Sequence, residues 1–226
     1  MNIFKKLLGG NVLYYPGCLT HFVLPEIEDN YKKILRQIDV DFIFIPEFNC
    51  CGSPVINAGY QKDFEILKEK NIGFFEEHGV SKIITNCPAC YKILKDYENK
   101  DIRIEHIIES IYKKIYKINV RHSGDITYHD PCHLGRYSGI YEEPRRILKH
   151  IGFNVIELRF CREESMCCGG GAGLKTNFPE ISNKIAKMIL DYVETDKLVT
   201  PCPLCYKHLK DNSTEIEVLE FSEVLI

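Results

Sequence analysis

The sequence predicts an α/β chain of two tandem repeats, each a small parallel sheet flanked by helices, and two observations carry that expectation. The first is the cysteine spacing, since self-similarity at a fixed offset marks a repeated unit. Cysteines stand at positions 18, 50, 51, 87, 90, 132, 161, 167, 168, 202 and 205. Cys18 and Cys132 are 114 residues apart, the two Cys-Cys pairs 117 and the two Cys-Pro-x-Cys pairs 115, so ten of the eleven fall into two matching sets of five. Only Cys161 lacks a counterpart. The second observation is that short apolar runs alternate along the chain with longer segments of helical period, the pattern of strand–helix–strand units.

In the first half, residues 12–15 form an apolar run ending at Pro16-Gly17-Cys18. Residues 25–38 carry Ile27, Tyr31, Ile34, Leu35 and Ile38 at helical spacing. Residues 42–45 are continuously apolar, as in a strand buried on both faces, and lead to Asn49-Cys50-Cys51-Gly52. A helix over 60–78 stops at Gly79, a suitable residue just past a helix end. A strand over 83–85 precedes Cys87, and Pro88 suits the first turn of a new helix. A strand over 102–105 and a helix over 107–116 complete this half. The second half predicts strands over 126–128, 155–158, 198–200 and 217–219, and helices over 142–150, 179–192 and 203–210. The seam falls at 118–124, which divides the chain into repeats 1–118 and 119–226.

Composition narrows the function. A chain of 226 residues with 45% hydrophobic and 27% charged residues has enough apolar surface to fold and is not a disordered segment. Its net charge of −3 argues against nucleic acid as a partner. No apolar run approaches the roughly 20 residues of a membrane helix. The start of the chain, Met1 to Gly10, lacks the apolar core of a secretory leader. The expected compartment is therefore the cytoplasm, where thiols stay reduced and eleven cysteines point to metal or redox chemistry instead of disulfides.

Every cysteine set follows the carboxyl end of an expected strand. Ligand sites of open α/β sheets lie outside those ends, in the Rossmann-like manner, so each half can gather five sulfurs in one place. Cys87 and Cys202 stand where helix caps would be, with Cys90 and Cys205 in the first turn, where free N–H groups and the helix dipole favour thiolates. A structural zinc site takes four ligands, and an ordinary four-iron cluster takes four cysteines. Five sulfurs, two of them adjacent, suit a larger or irregular iron–sulfur assembly, with zinc as the alternative occupant. Gly169-Gly170-Gly171-Ala172-Gly173 would let backbone N–H groups approach cluster sulfides. It does not read as a phosphate loop, because Leu174 separates Gly173 from Lys175. A thioredoxin-type dithiol at Cys-Pro-x-Cys would leave Cys18, Cys132 and both Cys-Cys-Gly segments unexplained.

His21, His129 and His133 lie beside these cysteines. They are candidates to donate protons to a departing thiolate, against the plainer reading of packed core histidines. Arg136 is a candidate anchor for an anionic substrate, or a surface charge. Cys161 reads as a buried hydrophobe, the 112–117 segment as a solvated helix face, and Tyr91 and Tyr206 as residues packed against the helices they begin.

The pattern Cys…Cys-Cys-Gly…Cys-x-x-Cys, present twice, resembles the cysteine-rich (CCG) domain of heterodisulfide reductase catalytic subunits. That domain is shared by the iron–sulfur subunits of glycolate, lactate and glycerol-3-phosphate oxidoreductases. His129-Asp130-Pro131-Cys132-His133-Leu134-Gly135-Arg136 and Glu164-Ser165-Met166-Cys167-Cys168-Gly169-Gly170-Gly171 are especially similar, and the likeness runs from Val12 to the C-terminus. It implies one iron–sulfur cluster of the four-iron type per repeat, noncubane in heterodisulfide reductases. Cys18, Cys50, Cys51, Cys87 and Cys90 would hold one, and Cys132, Cys167, Cys168, Cys202 and Cys205 the other. It implies an oxidoreductase subunit that passes electrons to a disulfide. The alternatives are a noncatalytic electron conduit beside a flavin dehydrogenase, and a zinc-stabilised interaction module. Many such proteins carry a ferredoxin-like segment that is not found before Cys18, so a separate ferredoxin-like subunit, with or without a flavin subunit, is the expected partner.

Overall fold

The computed structural model describes residues 10–97 and 101–226. The segment Met1 to Gly10, for which no secretory leader is expected, lies through position 9 outside the described residues. Two parallel sheets form the frame. The first joins β1 (Asn11–Tyr14), β2 (Val80–Thr85) and β3 (Arg103–His106) in that order, and the second joins β4 (Asp125–Tyr128), β5 (Asn154–Glu157), β6 (Lys197–Thr200) and β7 (Glu217–Glu220) in the order β5-β4-β6-β7. Register is continuous through Leu13, Ile83 and Ile104 in one sheet and through Thr127, Leu198 and Val218 in the other. Helices follow in sequence: α1 (Cys18–Val23), α2 (Pro25–Gln37), α3 (Ser53–Asn57), α4 (Gln61–Glu77), α5 (Pro88–Lys95), α6 (Ile107–Lys113), α7 (Glu142–His150), α8 (Leu174–Asn177), α9 (Pro179–Leu190) and α10 (Pro203–Asn212).

The expected strand over 42–45 is reduced to a single parallel bridge between Leu13 and Ile43. Two bonds hold it: Ile43 N–H donates to the Val12 carbonyl at 2.8 Å, and the Ile43 carbonyl accepts from Tyr14 N–H at 2.9 Å. On the β1 side Pro16 has no N–H to donate to the Ile45 carbonyl, so the ladder cannot be extended there. The run is half-buried, not buried on both faces. Phe42 and Phe44 pack on the Tyr14 ring while Lys32 and Arg36 cover their outer faces. With that bridge counted, the first sheet has the same spatial order as the second. The segment over 107–116 also divides, into α6 and a short 3₁₀ turn over Ile115–Lys117.

Side chains alternate across a strand, and β1 uses this to build two cores. Leu13 and Tyr15 face one, with Ile83, Phe64, Phe75 and Leu94. Tyr14 faces the other, with Ile84 and the α2 residues Ile27, Tyr31, Ile34 and Leu35. This second core is continuous with Ile126, Tyr128, Ile147 and Leu198 of the second sheet, so the two halves share apolar interior. Polar bonds cross the same boundary: Tyr31 Oη donates to Glu220 Oε1 at 2.7 Å, and His150 Nε2 lies 3.2 Å from the Ile118 carbonyl oxygen. Within the described residues no helix is long and apolar enough to cross a membrane.

Candidate metal centres

Parallel strands put all their carboxyl ends on one edge of each sheet, and the cysteines stand just beyond those ends. Cys18 opens α1 four residues past β1, Cys87 caps α5 two residues past β2, and Cys50–Cys51 follow the Ile43 bridge. Gly17 brings the β1 loop against the others. It has φ +79, and a Cβ there would lie 2.9 Å from Cys90 Sγ. The sulfurs interact in the series Cys18–Cys50–Cys51–Cys90–Cys87. The second half repeats it as Cys132–Cys167–Cys168–Cys205–Cys202, with Cys132 Sγ 4.0 Å from Cys167 Sγ. Among the described residues, no group of three or more His, Cys, Asp or Glu side chains could hold a single metal ion.

Each series mixes acidic and reluctant thiols. Cys50 is lowered to about 2, chiefly because Cys18 and Cys51 donate to it, with the Gly52 N–H adding to the effect. Cys167 is lowered to about 2 in the same way by Cys132, Cys168 and the Gly169 N–H. Cys87 is also lowered, by Cys90 and by the Ala89 and Cys90 N–H groups at the start of α5. The helix-start expectation fails for Cys90 and Cys205. Both are raised because they are the donors to Cys51 and Cys87, and to Cys168 and Cys202, and are buried. Backbone N–H groups do reach sulfur: Gly52 N is 3.4 Å from Cys50 Sγ, and Gly170 N is 3.4 Å from Cys168 Sγ.

The Cys-Cys loops are held from behind by groups that sequence reading passed over. Asn71, fully buried in α4, donates to the Cys50 carbonyl at 2.9 Å and to Tyr97 Oη, and Tyr97 donates to the Cys51 carbonyl at 2.8 Å. Ser182 of α9 donates to the Gly169 carbonyl at 2.8 Å. A polar residue among the apolar positions of a helix was the available signal. The glycine after each pair is required twice over. At Gly52 (φ +85) a Cβ would sit 2.8 Å from the Phe64 ring, and at Gly169 (φ +81) it would sit 3.1 Å from Ile185. Gly59 has a similar φ of +87 but open space around it. Gly52→Ala should therefore cost about 2–4 kcal/mol in urea unfolding, against about 1–2 for Gly59→Ala.

The other candidates separate by environment. His129 is buried with both ring nitrogens engaged, Nδ1 at 3.3 Å from Thr200 Oγ1 and Nε2 at 3.2 Å from the Met166 carbonyl, and burial lowers its pKa. His133 Nδ1 lies 3.3 Å from Cys132 Sγ, with its ring against Tyr137 and its pKa lowered by burial. His21 Nδ1 lies 2.7 Å from Glu28 Oε2, a carboxylate that also pairs with Lys32. The His21 ring packs on Phe22, Phe44 and Phe48. Arg136 is exposed and donates to the Glu163 carbonyl at 3.0 Å. Cys161 is half-buried with the Arg162 guanidinium 3.8 Å from its sulfur, not a fully buried hydrophobe, and takes no part in either series.

The cysteine-rich CCG domain model matches this chain twice, over residues 12–95 and 126–210. An uncharacterized iron–sulfur protein of Methanocaldococcus jannaschii is 36% identical over 89% of this chain and 41% of its own length. A fumarate reductase (CoM/CoB) subunit of Methanothermobacter marburgensis is 32% identical over 96% of this chain and 46% of its own. A dihydromethanophenazine:CoB–CoM heterodisulfide reductase subunit of Methanosarcina acetivorans is 28% identical over 96% and 58%. The chain thus spans about half the length of the curated relatives it matches, and those relatives are iron–sulfur proteins and oxidoreductase subunits. With its sulfurs grouped twice in one order and the domain pattern matched twice, the chain belongs to the CCG cysteine-rich domain family.

Proposed function

We propose that this chain is an iron–sulfur subunit of a heterodisulfide-reductase-like oxidoreductase, one cluster per repeat (1–118 and 119–226), working with electron-donating partner subunits. Cys18, Cys50, Cys51, Cys87 and Cys90 hold one cluster, and Cys132, Cys167, Cys168, Cys202 and Cys205 the other. The observation that carries this reading is the shared order of sulfur interactions in the two halves. The donor set fits such a group: soft thiolates suit iron–sulfur clusters, and N–H groups already directed at Cys50 and Cys168 would stabilise bound sulfur. When bound, the clusters supply electrons for reduction of a disulfide.

The chain's own part is to bind the clusters and supply protons, since a disulfide reduced by two electrons takes up two protons to give two thiols. In the second half His133 is within reach of Cys132 Sγ. In the first half Glu28 fixes His21 by Nδ1, the arrangement that leaves Nε2 to carry a proton. His129, with both nitrogens committed, braces the loop before Cys167. Anaerobic reconstitution of the full chain should give on the order of eight irons with matching sulfide. Cys167→Ser with Cys168→Ser should remove about half, by iron and sulfide analysis. Reduced viologen should then drive disulfide reduction by the loaded chain. Full iron with no disulfide turnover would make it an electron conduit, and zinc uptake without sulfide would overturn the iron–sulfur reading.

A further inference from the structure

We propose that Arg145 is a positioning residue for the second sulfur set, holding the loops of Cys132 and Cys167–Cys168 together before any cluster is bound. Arg145 lies on α7 with its side chain 2% exposed. Its guanidinium donates to both carboxylate oxygens of Asp130, at 2.8 and 2.7 Å, and to both of Glu157, at 2.7 Å each. A further N–H reaches the Tyr141 carbonyl at 2.6 Å, and the Tyr128 ring lies 4.6 Å away. Such a fork fixes direction as well as distance, because guanidinium and carboxylate are both planar.

Asp130 is the pivot. It stands two residues before Cys132 and two past the end of β4. Its Oδ2 accepts the Arg162 N–H at 2.8 Å, and its backbone oxygen accepts Ser165 Oγ at 2.9 Å. One residue thus joins the loop of Cys132 to the segment that leads into Cys167, while Arg145 joins both to the ends of β4 and β5. Cys132 and Cys167, whose Sγ atoms are 4.0 Å apart, follow Asp130 and Ser165 by two residues each. At the 114-residue offset that relates Cys18 to Cys132, Pro16 replaces Asp130 and Tyr31 replaces Arg145. Pro16 offers no carboxylate, and Tyr31 turns away to Glu220. The partner segment there is the single bridge at Ile43 instead of a full strand. The first set is tied by neutral bonds instead, with Tyr15 Oη donating to the Asn49 carbonyl and Asn86 Nδ2 to Thr20 Oγ1 at 3.0 Å, so the ion-pair clamp acts on the second set.

What the sulfurs hold rests on the iron–sulfur reading above, whereas their spacing is tested without iron. The full chain is prepared reduced, metal-free and anaerobic, and treated with one equivalent of diamide, which takes two thiols to a disulfide as it is reduced to the hydrazine. Cross-linked peptides are followed by mass spectrometry. The Cys132–Cys167 bond should form readily in the wild-type chain and several-fold more slowly in Arg145→Lys, which keeps the charge but not the fork. The Cys18–Cys50 bond should form at the same rate in both. Arg145→Met is a second variant, used where circular dichroism shows it folded. Equal Cys132–Cys167 rates in wild type and Arg145→Lys would overturn the proposal, and so would equal slowing of both bonds, which reports general loosening. A wild-type chain that takes up no iron defeats the functional reading while these rates still decide the positioning role.

Discussion

Arg145→Met should destabilise the folded chain by about 3–5 kcal/mol in urea unfolding. The size follows from burial. Arg145 and Asp130 are both 2% exposed at the side chain, so removing the guanidinium leaves an uncompensated carboxylate in the interior. Glu157 loses less, being about one-third exposed and able to turn to water. The surface pair Lys92–Asp96, of similar 2.7 Å length, should cost below about 1 kcal/mol when Lys92 becomes methionine, because water and salt already screen it. Asp130→Asn in the Arg145→Met background should recover part of the loss, since a neutral amide is cheaper to bury than an unpaired charge and can still accept from Arg162 N–H. A loss below about 1 kcal/mol for Arg145→Met would mean that water reaches Asp130 once the arginine is gone.

That clamp also marks where sequence reading stops. The cysteine sets were legible because their spacing is a one-dimensional property, and a parallel sheet converts order along the chain into a common edge in space. The strands were legible as short apolar runs, and α2 as apolar residues at helical spacing. Arg145 was not, because it stands beside Arg146 and only one of them turns inward. Arg146 is exposed, held at the Tyr112 hydroxyl, while Arg145 meets Asp130 just past β4 and Glu157 of β5. A helix-face charge and a buried lock have the same letters. The 42–45 run misled for a related reason: apolar character marked residues that pack on two cores, but the number of backbone bonds depended on Pro16 and on neighbours far along the chain. Cys90 and Cys205 show the limit for chemistry, since the helix start favours their thiolates while the neighbouring sulfurs make them proton donors.

Glu220 should make the junction between the halves sensitive to pH. This carboxyl ends β7 in the interior and accepts from Tyr31 Oη, Ser222 N–H and Ser222 Oγ. Burial raises its pKa from 4.5 to about 7; the Ser222 and Tyr31 bonds oppose the rise and the nearby Glu223 carboxylate adds to it. Below about pH 4.5 the group is protonated in both folded and unfolded chains and has no effect on the balance. Between about 4.5 and 7 the folded state binds more protons than the unfolded one, so stability falls as pH rises, and it levels off above 7. The drop attributable to this group is about 3 kcal/mol. Glu220→Gln cannot ionise, so its stability relative to wild type should improve by about that amount between pH 4.5 and pH 8, whatever its fixed cost in lost acceptor capacity. Urea unfolding of both chains across this range reads the difference directly. Parallel curves would show that Glu220 is ionised in the folded chain at every pH, with Tyr31 and Ser222 carrying the full charge.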